Sequence, residues 1–210
     1  KRELDGTPLN IVHRDISPQN IVVTFTGDVK IVDFGIAKSD TKTTQETKSG
    51  KLKGKIPYMS PEQARGDRID WRSDIFSTAV LLFELTTGKR LFKGQSEYET
   101  LKLICEREYP TPSQVSPGYS PELENIVMRG LAKAADQRFQ TAREMQGAVE
   151  EFVRRVYGPV KFESIFTESV ESGMRYRAPR GVSRPFTPNE YERVVTSRDA
   201  VAMMVKAMTV

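Results

Sequence analysis

One cysteine, Cys105, stands in 210 residues, so no intramolecular disulfide can form and no zinc site can be built on paired thiolates. That fits a reducing, cytoplasmic setting and leaves Cys105 as a small buried hydrophobe. Long apolar runs are also lacking: nothing approaches the roughly 18 to 20 residues of a membrane span, and Lys1 to Gly6 is too polar for a signal peptide. None of the 14 glycines falls in a G-x-G spacing, which excludes a glycine loop of the kind that cradles nucleotide phosphates. An excess of one charge sign is nearly missing too. The 32 basic and 28 acidic residues are mostly interspersed, so the net charge of +4 does not call for a nucleic-acid partner.

What is present is an ordinary globular composition, 38% hydrophobic and 29% charged, with room for one domain and a tail. Asn10 to Val12, Ile21 to Phe25 and Val29 to Val32 are short β-branched runs that predict small strands, the last two joined by turn residues Thr26, Gly27 and Asp28. They bracket a polar loop, Arg14 to Asn20. Ser39 to Gly54 is rich in Lys, Thr, Ser and Gly and predicts a mobile surface loop.

After Pro61 the pattern becomes helical. Ile75 to Leu85 is apolar on nearly every side and stops at Gly88, which predicts a central helix enclosed on all faces. Three amphipathic helices follow, opened by Ser96 with Glu99, by Ser120 before Pro121, and by Thr141 with Glu144. Their predicted apolar faces are Tyr98, Leu101 and Ile104; Leu123, Ile126, Val127 and Leu131; and Met145, Val149, Phe152, Val153 and Val156. Past Gly158 periodicity fades. Arg175 to Pro188 reads as a flexible tail, and the last residues as a short helix.

Phosphoryl transfer needs a carboxylate to orient the attacking hydroxyl, oxygen ligands for magnesium, and a cation near the moving phosphate. HRDISPQN (His13 to Asn20), DFG (Asp33 to Gly35) and YMSPE (Tyr58 to Glu62) supply these residue types in order. Together they resemble the protein kinase family, in its bacterial serine/threonine (Hanks-type) branch. The resemblance runs from Asn10 to about Val156 and implies an α+β, predominantly α-helical fold. In that fold, helices surround a buried central helix, and small hairpins carry the catalytic and magnesium loops. It further implies ATP and Mg2+ as cofactors and a protein substrate. Asp15 would be the catalytic base, with Asn20 and Asp33 as magnesium ligands. Arg14 would be the sensor arginine for a phosphorylated loop residue. His13 would be a packed core residue and Phe34 part of the same structural frame. Asp74 would hold the catalytic loop by hydrogen bonds, and Glu62 would pair with Arg138, although Ala134 and Ala135 replace the family's usual Asp-Pro before that arginine.

Two departures belong together. Where the serine/threonine branch places a lysine two residues after the catalytic aspartate, this chain has Ser17, and where it places a threonine ahead of Y-x-[AS]-P-E, this chain has Lys55. Lys55 is therefore expected to bring to Asp15 the positive charge that Ser17 cannot, because transition-state charge has to be neutralised. The competing expectation is a loop lysine on an inactivated kinase. Thr41, Thr43, Thr44, Thr47 and Ser49 lie between DFG and SPE, where phosphorylation would create a partner for Arg14 and the nearby lysines.

The family's nucleotide-gripping N-lobe has no counterpart here, and Lys30, three residues before Asp33, is in the wrong strand to serve as its lysine. The expectation is thus a C-lobe, residues 1–157, truncated at its N-terminus and followed by a tail, residues 158–210. Alone it would neither grip ATP nor turn it over, and would be completed by the missing N-lobe. The alternative is an inactive kinase fragment that serves as a protein-interaction module.

Overall fold

The computed structural model describes residues 3–4, 7–8, 12–23, 29–33 and 55–157. Two antiparallel ladders come first. β1 (Glu3–Leu4) pairs with β2 (Thr7–Pro8), and β3 (Ile21–Val23) pairs with β4 (Val29–Ile31) in the register Ile21 to Ile31 and Val23 to Val29. Of the expected run Asn10 to Val12 only Val12 is among the described residues, and it lies outside any strand; the chain just after it is held by the Asp74 side chain. The small β1–β2 pair was not expected, since Glu3–Leu4 and Thr7–Pro8 carry no alternating pattern.

Six helices follow among the described residues: α1 (Pro61–Arg65), α2 (Arg72–Thr87), α3 (Glu97–Glu106), α4 (Pro112–Val115), α5 (Pro121–Gly130) and α6 (Ala142–Tyr157). α2 is the axis of the molecule. Phe76, Ala79, Val80, Leu82 and Phe83 are wholly buried, and α5, α6 and the segment Ile56–Tyr58 close over it. Each such large side chain contributes roughly 1.5 to 3 kcal/mol on leaving water, so α2 does not depend on helix propensity for its stability. It ends at Gly88, whose φ of 66° is left-handed, with the Gly88 N–H returning to the Glu84 carbonyl at 2.9 Å. α5 crosses it closely at Gly130, where an added Cβ would stand 2.6 Å from the Ala79 Cβ.

The amphipathic faces of α5 and α6 seat on this core through Leu123, Val127, Met145, Val149 and Phe152. Two expected face residues depart, and so does Cys105, expected to be buried. Tyr98 is 76% exposed, because Thr100 takes the inward position on α3 and its hydroxyl bonds the Gly94 N–H and the Ser96 carbonyl. Val156 is 51% exposed in the last turn of α6, where packing on one side has stopped. Cys105 is half-buried, with its thiol toward the Pro61 carbonyl.

The expected caps form with one change. The Ser96, Ser120 and Thr141 hydroxyls accept from the N–H groups three residues on, while Glu99 and Glu144 reach the N–H of Gln95 and Gln140, one residue before the cap. Residues 158–210, expected as a tail, lie outside the described residues.

Candidate active site

The loop from His13 to Asn20 has no ladder to hold it, and its backbone groups are claimed by side chains from elsewhere. The Asp74 carboxylate, in the first turn of α2, accepts from the N–H of His13 at 2.7 Å and of Arg14 at 2.9 Å. Burial raises the Asp74 pKa above its ordinary value despite these bonds. From α1, Gln63 donates its amide N–H to the Arg14 carbonyl at 3.0 Å, while its Oε1 accepts from the Ser60 N–H and completes a capping box. Arg14 is thereby held at a φ of 67°, a left-handed conformation that a non-glycine residue leaves unless its surroundings fix it.

His13 is buried. Its Nδ1 accepts from the Asp15 N–H and its Nε2 faces the Val32 carbonyl at 3.2 Å, so the proton sits on Nε2. The ring is a spacer between the loop and β4.

The Lys55 ammonium donates directly to the Asp15 carboxylate, and both side chains are partly open, 29% and 23% exposed. Ser17, which stands where the resemblance implies a lysine, does not join that pair. It is fully buried, and its hydroxyl has no hydrogen-bond partner among the described residues, so it bridges neither Lys55 nor Asp15. A serine side chain is too short to span the gap that a lysine crosses.

Asn20 closes a 3-10 turn, Pro18–Asn20, that places it at the start of β3. Its amide N–H donates to the Asp15 carbonyl at 2.7 Å, which leaves its carbonyl oxygen as the end available to a ligand. The Asn20 backbone carbonyl accepts from Val32 at 2.8 Å, so Asp33, the next residue, is tied to the same hairpin. Asp33 is exposed, with φ 58°, and no described residue pairs with its carboxylate. One carboxylate and one amide oxygen, with no cluster of three His, Cys, Asp or Glu among the described residues, suit a hard cation that keeps water and phosphate ligands and do not suit a closed protein cage. Val22 and Val32 add exposed apolar surface beside these groups, 45% and 37%.

Glu62 and Arg138 lie behind the site. Arg138 donates to both carboxylate oxygens at 2.7 and 2.8 Å, and also to the carbonyls of Arg72, Ala132 and Lys133. Burial alone would push the Glu62 carboxyl up. The Arg138 bonds, with Ser73 donating at 2.6 Å, outweigh it and hold the carboxyl at about 2. The Ala134–Ala135 replacement does not disturb this, because the contacts to Arg138 on that side come from main-chain carbonyls.

Sequence reasoning missed three residues. Gln63 was visible as the fourth residue of S-x-x-Q, a capping-box spacing. Glu84 and Arg90 left no local signal. The Glu84 carboxylate takes the Tyr58 hydroxyl at 2.8 Å and the Leu91 N–H at 3.3 Å, and Arg90 stands 3.4 Å away and donates to the same hydroxyl. Burial raises the Glu84 pKa. Phe34, Thr41, Thr43, Thr44, Thr47 and Ser49 lie outside the described residues.

Comparison with known proteins gives a match between residues 8–149 and the family model described as protein kinase domain. The chain is 41% identical over 148 residues to the tyrosine-protein kinase MasK of Myxococcus xanthus, covering 70% of this chain and 23% of that protein. It is 40% identical over 136 residues to the serine/threonine-protein kinase PknB of Mycobacterium leprae, covering 65% and 22%. Against PknB of Mycobacterium tuberculosis it is 35% identical over 179 residues, covering 84% and 28%. It spans about a quarter of the length of these curated relatives.

Proposed function

The chain belongs to the protein kinase family, and from that premise we propose that it is the C-lobe part of a serine/threonine protein kinase. Completed by an N-lobe, it transfers the γ-phosphoryl of ATP to a protein hydroxyl. The observation that carries this reading is the Lys55 ammonium seated on the Asp15 carboxylate, both side chains partly open to solvent. A lysine on a merely solvated loop has no reason to be there.

In this reading Asp15 aims the acceptor hydroxyl and takes its proton, while Lys55 supplies the cation beside it that Ser17, turned inward, does not. Asn20, through its free carbonyl oxygen, and Asp33 would hold Mg2+, which neutralises phosphate charge when bound. Asp74 and Gln63 keep Asp15 in place by fixing the backbone on its N-terminal side. Arg14 is the sensor, answering phosphorylation at one of Thr41, Thr43, Thr44, Thr47 or Ser49. The isolated chain is inactive, because most contacts to the nucleotide come from the other lobe.

Hydroxyl specificity follows the relatives named serine/threonine kinases, two of the three compared, while the third is named a tyrosine kinase. The test is phosphoamino-acid analysis of a protein substrate labelled by the N-lobe-completed enzyme. Phosphoserine or phosphothreonine is expected, with loss of label in Asp15→Asn. Phosphotyrosine alone would overturn the specificity, and label undiminished in Asp15→Asn would overturn the site.

A further inference from the structure

The far end of α2 carries a second charged surface that the chemistry above does not use. A cleft of about 160 Å³ opens there, floored by Phe92 and Tyr109, whose rings meet edge to face at 5.0 Å, and rimmed by Arg90, Lys93 and Arg107. Glu108 is the one carboxylate in its lining. Arg90 is balanced by Glu84 behind it. Lys93 and Arg107 are exposed and have no carboxylate within 4.0 Å among the described residues. Lys133, outside the lining, stands 5.5 Å over the Tyr109 ring and donates to the Glu106 carbonyl at 3.1 Å. A rim in which cations outnumber carboxylates around an aromatic floor favours an anionic chain with some apolar surface.

We propose that this cleft binds an acidic segment of the protein substrate and so selects substrates by carboxylates placed away from the phosphorylated residue. The proposal rests on the kinase reading and extends it to a substrate class. The same helix supports both places. Asp74 at its start holds the catalytic loop, and Glu84, ten residues on, holds Tyr58 and Arg90. At 1.5 Å per residue the two anchors are about 15 Å apart. An extended peptide covers that in four or five residues, so the acidic side chains belong about that far from the acceptor hydroxyl. Tyr58 links the two directly: its N–H donates to the Lys55 carbonyl while its hydroxyl joins Glu84 and Arg90.

The experiment is fluorescence anisotropy on the full 210-residue chain at low ionic strength. The probe is a labelled peptide with a central serine and glutamates four and five residues to either side. Its counterpart has glutamines in their place. The glutamate peptide is expected to bind with half-saturation below about 1 mM and to weaken with salt, and the glutamine peptide to bind at least about fivefold more weakly. Lys93→Gln and Arg107→Gln should each cost roughly two- to fivefold, and Arg143→Gln on exposed α6 should cost nothing.

Equal binding of the two peptides, no binding at about 1 mM, or parent-like binding by the Lys93→Gln, Arg107→Gln double variant would overturn the proposal. Because binding needs no phosphoryl transfer, such a result leaves the kinase reading standing. Failure of the completed enzyme to transfer phosphate would conversely leave the binding result standing.

Discussion

Replacing Glu62 by glutamine tests whether the bidentate pair with Arg138 holds α1 and the loop before α6 in place. The substitution keeps the shape and removes the charge, leaving Arg138, whose side chain is 0% exposed, without a counter-ion. The carboxyl is held at about 2 against an ordinary value of 4.5, a difference that contributes about 3 kcal/mol at neutral pH. The folded value is the depressed one, so this stability is present above 4.5 and is lost as pH falls toward 2. By pH 3.5 about 2 kcal/mol of it should remain. Urea unfolding followed by circular dichroism, on parent and Glu62→Gln between pH 7 and pH 3.5, reads the difference. The variant is expected to lie about 3 kcal/mol below the parent at pH 7, with the gap narrowing at the acid end. A variant within about 0.5 kcal/mol of the parent at pH 7, or a gap that does not change with pH, would refute the reasoning.

Lys55→Ala in the N-lobe-completed enzyme should lower kcat by about a hundredfold or more, the scale of losing one preorganised charge, while Lys53→Ala should change it less than about threefold; equal, small effects in a kinase assay would refute the exchange of roles. Gly130→Ala should destabilise the chain by about 1 to 3 kcal/mol, because its Cβ would meet Ala79 at 2.6 Å, and Ala79→Gly in the same chain should restore part of that in urea unfolding. Glu84 has the opposite sign to Glu62. Burial raises its folded value, so its contribution is full below the ordinary carboxylate range and fades as pH rises through the raised value, and the stability of Glu84→Gln relative to the parent should therefore improve as pH rises.

The residues proposed to carry the chemistry stand out in the sequence because phosphoryl transfer demands particular residue types in order: Asp15, Asn20 and Asp33 fall in HRDISPQN and DFG. The buried helix was legible as well, since an element apolar on every side has nowhere to go but the centre, and Gly88 marks its end by the left-handed φ that it alone adopts cheaply. Tyr98 and Val156 were misread because periodicity says which residues share a face and not whether a neighbour reaches it. Glu84 and Arg90 were invisible for a related reason: a carboxylate 26 residues from the Tyr58 hydroxyl it binds leaves no trace in either local pattern.

By itself, then, the order of amino acids determined the candidate groups of the proposed site, the helical body and the lack of any G-x-G spacing, all of them local properties of composition and spacing. Tertiary structure alone decided that the Lys55 ammonium meets Asp15 while the Ser17 hydroxyl is buried without a partner, and that Lys93 and Arg107 stand on the rim of one cleft. Those facts depend on where a rigid, fully packed helix sends the chain at each of its ends, and direction in space is set by packing against distant residues, which spacing along the chain does not encode.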